Sequence, residues 1–529
     1  MEKMKKHISE SNEKLFNKQR NIYRKPILFL IAIVTCGLFV RFYYTPFDVP
    51  IILDGFAGYF LYALDISRLE HLPNYSLAQS GWGEFLSLFF MNFDSENFID
   101  YMNLQRAISV ILSGITVIPI YFICKKFFSE YYSLIGAVIF AFEPRIILNS
   151  TLGISEPLYI LAISLGILFF LSSNKKIIYS SFGFFAWATI IRPEGQFWFV
   201  AFSIVYFLRF RKYPKDLVKY VIPLLIFLLI LSPFVYHRIQ CCDTDAIIGR
   251  ILVEISNYSN NPEELNSNSN EVYGPNWFSG IKLFGWSLIP IFIIFIPLGL
   301  IPIFRKFDFP NYLLIITSGI ISVPILYSTS IAPDTRYVFV LFPIFSVITL
   351  FGIKWISDQF KNKKIIFTVI TIFIILSSLV FIELKKPDYS NDLEAYKIAE
   401  LIDKKVSGIN NHTVIVNYYM KISQFSEQWS KTKMNNDWYG WIHEIYKTKA
   451  VYSNGSTLEE YIDNSKGSNL SHIITDDSIN NPQFLIELMN DEKKYPYLIK
   501  EFDSTESNYN YKVKIFKIDY NLFKNFKNK

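Results

Sequence analysis

Residues 47–70 read FDVPIILDGFAGYFLYALDISRLE, and the rest of the chain is organised around them. Two acids, Asp48 and Asp54, stand just past a long apolar run. From Phe56 the pattern turns helical. Phe56, Ala57, Phe60, Leu61 and Leu64 fall on one side, with Gly58, Asp65 and Arg68 on the other. That sidedness predicts an in-plane helix, Phe56 to Glu70, with its apolar face toward lipid. A carboxylate loop at an interface, followed by such a helix, suits chemistry on a substrate that sits half in lipid. An ordinary solvated loop is the plainer alternative, and this stretch by itself leaves both open.

Working outward, the composition is that of a polytopic α-helical membrane protein. The 529 residues are 51% hydrophobic and 18% aromatic, and long uncharged runs recur. The formal charge of +6 does not point to nucleic acid, because the basic residues sit where membrane topology needs them. Four cysteines, Cys36, Cys124, Cys241 and Cys242, form no CxxC pair and no zinc-ligand spacing.

Eleven spans are expected near residues 27–44, 104–123, 131–149, 152–171, 177–191, 195–208, 218–236, 284–304, 311–330, 335–353 and 364–384. A basic tail, residues 1–26, precedes them, and the first span has no small-residue cleavage site after it. One set of short connections carries Lys125-Lys126, Lys175-Lys176, Arg209 to Lys215, Arg305-Lys306 and Lys354 to Lys364. The opposite set is poor in lysine, and the 45–103 loop has Arg68 against eight acids. The positive-inside rule then places the protein in the cell membrane with a cytoplasmic N-terminus. A membrane module, 27–384, carries outer loops 45–103 and 237–283, and an extracytoplasmic domain, 385–529, follows. Six Asn-x-Ser/Thr triplets, beginning at Asn74, Asn149, Asn257, Asn411, Asn454 and Asn469, all fall on the outer side.

The tail reads as a small α/β domain. Helices are expected over 392–406, 458–464 and 482–489, with strands over 413–418 and 472–475 and an edge strand over 511–518.

Ionisable residues at span ends are the informative ones in a membrane protein, and here they crowd one face. Asp48 and Asp54 follow span one, Glu143 and Arg145 end span three, and Glu156 opens span four. Arg192 and Glu194, in RPEG, join spans five and six; His237 and Arg238 end span seven; Asp334, Arg336 and Tyr337, in PDTRY, open span ten. Carboxylates suit a general base or a divalent cation, and arginines suit a phosphate. Together they suggest an anionic, lipid-attached substrate at the outer face. Interfacial anchoring of Arg192 and Arg336, and an internal Glu143–Arg145 pair, are the plainer readings.

The ordered set LDGFAGYFLYA, GWGEFLSLFF, FAFEPRIILNSTLGISEPLYI, ATIIRPEG and TRYVFVLFP resembles the membrane glycosyltransferases of the GT-C superfamily. It is nearest in pattern to their dolichyl-phosphate-mannose protein mannosyltransferase-like (ArnT/PMT-like) branch. The resemblance implies transfer of a sugar, with inversion, from a polyprenyl (dolichyl) phosphate donor to a protein, lipid or glycan acceptor outside the membrane. It implies Asp54 as the essential acid of the first loop, Glu156 as the further acidic site, and Arg336 at the donor phosphate, with Arg192 and Arg238 as further phosphate-binding candidates. Asp54 is followed by Gly55 where many members have a second acid, so that acid is Asp48 or is lacking. Metal dependence is left open: a divalent cation, magnesium or manganese, would fall to Asp54 and Glu156. The string NDWYGW, Asn436 to Trp441, is not the oligosaccharyltransferase signature, which makes transfer of a whole lipid-linked glycan the alternative. A transporter without covalent chemistry is the rival of another class. It predicts charges in mid-span and paired broken helices.

Overall fold

The computed structural model describes residues 25–51, 55, 59–73, 80–95, 98–242, 276–306, 308–331 and 334–390, and in the tail 393–394, 397–398, 413–415, 449–450, 455–468, 470–477 and 481–528. The chain divides into two compact units. One takes in the described residues of Met1–Thr45, Ser76–Trp82 and Leu104–Lys386, the other those of Pro46–Tyr75, Gly83–Asn103 and Pro387–Lys529.

Apolar runs become helices, in chain order α1 (Lys25–Tyr43), α2 (Leu61–Leu69), α3 (Gly81–Phe90), α4 (Phe98–Ile115), α5 (Val117–Lys125), α6 (Glu130–Ala141) and α7 (Pro144–Ser150). There follow α8 (Glu156–Phe170), α9 (Lys175–Ile191), α10 (Gly195–Phe210), α11 (Val221–Cys242), α12 (Trp277–Ser287), α13 (Phe292–Arg305) and α14 (Phe309–Ile331). A 3-10 turn, Thr335–Leu341, leads into α15 (Phe342–Ser357) and α16 (Lys363–Lys385).

Each of the eleven expected spans coincides with helix. Among the described residues, six helices are long and apolar enough to cross a membrane, or eight if the bent pairs α6–α7 (51°) and α12–α13 (93°) each count as one span. The others are α8, α9 and α10, of 15, 17 and 16 residues. At about 1.5 Å per residue they fall short of a hydrocarbon layer of roughly 30 Å.

Small residues let these helices approach closely. A Cβ on Gly299 of α13 would lie 2.0 Å from the Ile348 carbonyl oxygen of α15, and one on Gly352 would lie 2.6 Å from the Phe295 carbonyl oxygen. The two bent pairs meet through Arg145. Its Nε donates to the Ile289 carbonyl (3.1 Å) and its Nη2 to the Trp286 carbonyl (2.6 Å), and its guanidinium lies over the Trp286 and Phe381 rings. Carbonyls left at the end of α12 thereby find donors. Glu143, fully buried, caps the start of α7 by accepting from the Arg145 amide, with Pro144 in the first turn. Arg41 in α1 is also fully buried. It donates to Ser113 Oγ (3.0 Å) and to the Gly37 (3.0 Å) and Ala141 (2.8 Å) carbonyls.

In the second unit, α2 differs from its expectation. Leu61 to Ser67 are all buried, Asp65 among them at 1% exposure. The helix is covered on every side rather than resting on one apolar face. Tyr62 packs so tightly on Gly83 that a Cβ there would come within 2.8 Å of its ring. The part of that helix expected over residues 56–58 lies outside the described residues.

The tail folds around a five-stranded sheet of β1 (Thr413–Ile415), β2 (Lys449–Ala450), β3 (Leu470–Asp476), β4 (Leu498–Asp503) and β5 (Val513–Ile518), ordered β2-β1-β3-β5-β4. The first three run parallel, and β5 runs antiparallel to β3 and β4. The 511–518 stretch is thus an interior strand, not the edge strand expected, because β4 flanks it. The core is Ile473, Leu485, Leu488, Tyr497, Phe516 and Phe523. Leu458–Ser465 is helical and N-capped by Thr457, whose hydroxyl accepts from the Glu460 amide while the Glu460 carboxylate reaches back to Ser456. Helices Gln483–Asn490 and Tyr520–Lys527 complete the layer. The helix expected over 392–406 lies largely outside the described residues.

Candidate active site

The first unit holds a pocket built by three turns and one helix. The first turn is LGISEP, between α7 and α8. Gly153 takes the left-handed conformation (φ 70°) that favours glycine, and its carbonyl accepts from Trp82 Nε1 (3.1 Å) and Gln105 Nε2 (2.6 Å). That pinned turn starts α8 with Glu156 in its first turn, followed by Pro157.

The second turn is RPEG, between α9 and α10. Pro193 forbids helix at the residue before it, so Arg192 is extended (φ −147°, ψ 130°) and ends α9. Glu194 follows and Gly195 opens α10. Two glycines set this corner against its surroundings. A Cβ on Gly195 would meet the Thr189 nitrogen at 2.4 Å, and one on Gly81 would meet the Ile190–Ile191 backbone at 2.9 Å. The third turn is the 3-10 segment, capped by Asp334, whose carboxylate accepts from the Arg336 amide at 2.8 Å.

These turns bring four charged groups into one pocket lining: Glu156, Arg192, Glu194 and Arg336. Arg192 Nη1 donates to Glu156 Oε1 at 2.8 Å, and its Nη2 lies 3.4 Å from Glu194 Oε1. Its guanidinium stands 5.6 Å over the Tyr337 ring. Arg336 Nε donates to Asp334 Oδ2. Glu156 is 4% exposed, and its second oxygen, Oε2, is buried with no hydrogen-bond partner among the described residues. The rest of the lining is mostly apolar, from Ile160, Trp198 and Val340 and from Ile321, Pro324 and Ile325 of α14, around a cavity of about 20 Å³. A lining that combines charged and apolar side chains suits an amphipathic group.

The structure thus gathers Glu156, Arg192 and Arg336 as the sequence proposed. Arg238 is not in this lining. It is buried near the end of α11 beside Phe234, and its Nε and Nη1 have no partner among the described residues. Asp48 belongs to the second unit, exposed, in a left-handed backbone (φ 66°), and exchanges hydrogen bonds with the Asn103 side chain. Asp54 lies outside the described residues. Glu194, Tyr337 and Trp198 were not among the expected site residues. For Glu194 the signal was its place in RPEG, two residues after an arginine already singled out.

No group of three or more His, Cys, Asp or Glu side chains among the described residues is arranged to hold a metal ion. No protein-family model and no curated protein sequence matches the chain. Solved structures do. The oligosaccharyltransferase AglB of Archaeoglobus fulgidus, in complex with an inhibitory peptide and a dolichol-phosphate, matches with a TM-score of 0.52 at 10% identity, over 91% of this chain and 74% of its own. The same enzyme tethered to an acceptor peptide with an NVT sequon gives 0.54 at 10% identity, over 87% and 70%. ArnT of Cupriavidus metallidurans bound to undecaprenyl phosphate gives 0.53 at 9% identity, over 92% and 97%. Identities this low speak for the fold alone: this chain folds like these two enzymes.

Proposed function

We propose that the protein is a membrane glycosyltransferase that moves a sugar from a polyprenyl phosphate donor to a hydroxyl acceptor at the outer face of the membrane. The observation that carries this reading is the pocket whose lining combines Arg192, Arg336 and Glu156 with apolar side chains of α8, α10 and α14. An anionic head on a hydrocarbon chain needs both. The fold neighbours lend support, since one was solved with undecaprenyl phosphate and one with a dolichol-phosphate.

In this reading Arg336 and Arg192 face the donor phosphate and balance its charge as it leaves. The acceptor oxygen attacks the anomeric carbon from the face opposite the phosphate. A carbon–oxygen bond forms there while the bond to the phosphate oxygen breaks and its electron pair leaves with the phosphate. Asp54 takes the acceptor proton as general base, with Asp48 the other acid of the first loop. Arg238 serves a more distant part of the donor. Eleven spans, an inner N-terminus and an outer tail domain complete the arrangement, with the sugar being a hexose of the mannose type.

A divalent cation fits the donor set, because Glu156 Oε2 is a buried, open, hard oxygen. Glu156 and Glu194 would hold it, and it would supply charge neutralisation at the phosphate. Another neighbour, AglB in complex with zinc and sulfate, was solved with a metal.

The test uses membranes containing the chain, with labelled polyprenyl-phosphate hexoses and label followed into protein, lipid and glycan fractions. Transfer that disappears in Asp54→Asn and Arg336→Ala at unchanged protein level is the expected result. No transfer with any donor would shift weight to transport. Transfer from diphosphate-linked glycans only would favour the oligosaccharyltransferase alternative, which the AglB likeness keeps in view.

A further inference from the structure

The α12–α13 corner turns the chain through 93°. Beyond it α13 runs alongside α15: Gly299 meets the Ile348 carbonyl, and Phe295, one turn before Gly299, meets Gly352, one turn after Ile348. The two axes are therefore antiparallel, and α15 belongs to one of the six stretches long and apolar enough to cross a membrane. A helix at right angles to that pair lies along the membrane surface. It does so at the end where Phe292 meets Phe342 and where the 3-10 turn of the pocket leads into α15.

One side of α12 is buried and the other is open. A Cβ on Gly280 would lie 3.0 Å from the Leu326 carbonyl oxygen of α14, and Ser287 is buried. Away from that contact stand Trp277, Phe278, Ile281 and Trp286, between 46% and 80% exposed, and a Cβ on Gly285 would meet nothing within 4 Å. Four large apolar side chains on the open side of an eleven-residue helix reverse the pattern of a helix that faces water. Aromatic rings on a helix in the membrane plane are the usual anchors of a lipid interface.

Positive charge gathers at one end of that face. The Lys385 ammonium of α16 and the Arg145 guanidinium each lie 5.7 Å from the centre of the Trp286 ring, and Lys282 is exposed one turn before Trp286. Arg145 already donates to two carbonyls. Lys386 is paired with Glu383, whereas Lys282 and Lys385 have no ion pair among the described residues. Both lysines fall on the side that the sequence marks as poor in lysine, so topology does not account for them. We propose that Trp286, Lys282 and Lys385 form a headgroup site for an anionic phospholipid of the bilayer, with its phosphate beside the two ammonium groups and its acyl chains along Trp277, Phe278 and Ile281. A zwitterionic lipid brings its own ammonium and leaves the lysines unbalanced, whereas a lipid of net negative charge offsets them. Each basic residue near a membrane surface favours anionic lipid by roughly fivefold. The site is separate from the pocket and does not rest on the proposed function.

The test is tryptophan fluorescence of the full chain in phosphatidylcholine vesicles that carry a small share of lipid brominated near the headgroup, either phosphatidylglycerol or phosphatidylcholine. The signal lost in Trp286→Phe reports the proposed site, and the signal lost in Trp277→Phe reports the far end of α12. The Trp286 signal should be half-quenched at a mole fraction of brominated phosphatidylglycerol about tenfold or more below that of brominated phosphatidylcholine, and the Trp277 signal should show no such preference. Lys282→Gln and Lys385→Gln should each cut the preference roughly fivefold, and high salt should cut it further. Both lysines are exposed, so neither variant removes a buried contact, and circular dichroism checks that each is folded. Equal quenching of Trp286 by the two lipids overturns the headgroup site, as does a preference that survives in both lysine variants. Trp277 and Trp286 signals that neither lipid quenches overturn the interfacial placement of α12 and assign its open face to protein.

Discussion

Replacing Gly195 by alanine is expected to impair transfer through the RPEG corner without touching a charged group. The new methyl would lie 2.4 Å from the Thr189 nitrogen and 2.6 Å from the Ala188 carbonyl carbon. Both are backbone atoms of α9, which no side-chain rotation can move. Ordinary contact begins at 3.4 Å, so the corner must open by the difference, about 1 Å. Overpacking of this kind destabilises by about 1–3 kcal/mol, a fall of a few degrees in Tm. The functional effect should be larger than the thermal one. Arg192 and Glu194 sit in the displaced turn, and a shift of about 1 Å in a positioning group costs on the order of 100-fold in rate. Transfer kinetics in membranes, with Tm in detergent, measure both. A variant with unaltered Tm and transfer rate would refute the claim that this corner sets the pocket.

On the proposed function, Arg336→Ala removes a charge-assisted phosphate contact worth about 1.5–3 kcal/mol, so donor KM should rise roughly 10- to 100-fold at unchanged Tm. Gly299→Ala puts a methyl 2.0 Å from the Ile348 carbonyl oxygen, so Tm should fall in detergent with little change in KM. Arg145→Ala leaves the Trp286 and Ile289 carbonyls without that donor, and amide exchange across residues 286–293 should speed up severalfold or more. In the tail, burial alone would raise the Asp503 carboxyl, but the Thr505 hydroxyl and amide and the Lys500 ammonium outweigh it and hold it below the usual range. Its stabilisation is therefore present above the unfolded aspartate value, near 4, and is lost as pH falls through the lower folded value. Exchange at β4 and β5 amides should rise between about pH 4 and 2, and Asp503→Asn should flatten that dependence.

The helices were legible because membrane burial leaves long apolar runs that nothing else in the sequence imitates. Their number as true spans was less so, because α8, α9 and α10 are short and α6–α7 and α12–α13 are bent. The errors have physical causes. A helical wheel assigns Asp65 to an outward face, yet α2 is buried all round, and sidedness cannot report a second covering layer. In β4, LIKEFD, the middle residues Ile499, Lys500 and Glu501 are all exposed, so no alternation marks the strand. Missing it made β5 look like an edge. At the site, Glu156, Arg192 and Arg336 were found because charges at span ends are rare and noticeable. Glu194 was named with Arg192 in RPEG but given no site role, because Arg192 links it to Glu156, 36 residues before Arg192, and no spacing rule encodes that pairing.

The paired broken helices bear on the choice between enzyme and transporter. They are a feature expected of transporters, where half-helix ends are left open to bind ions or substrate. Here part of those ends is taken up by the protein's own groups, although Glu143 Oε2 and Arg41 Nη2 are themselves buried without a partner among the described residues. Arg145 satisfies the carbonyls at the α12–α13 corner, Arg41 that at the end of α6, and Glu143 caps α7. In the pocket, Glu156 Oε2 is a buried polar atom without a partner among the described residues, where three turns converge beside two arginines. If transport were the function, charge-neutral substitution at Arg145 or Glu143 should alter substrate specificity. On the enzymatic reading such substitutions change stability alone, and specificity follows Glu156, Glu194 and Arg336. Comparing Glu143→Gln with Glu156→Gln for donor discrimination, each scaled to its folded fraction, separates the two.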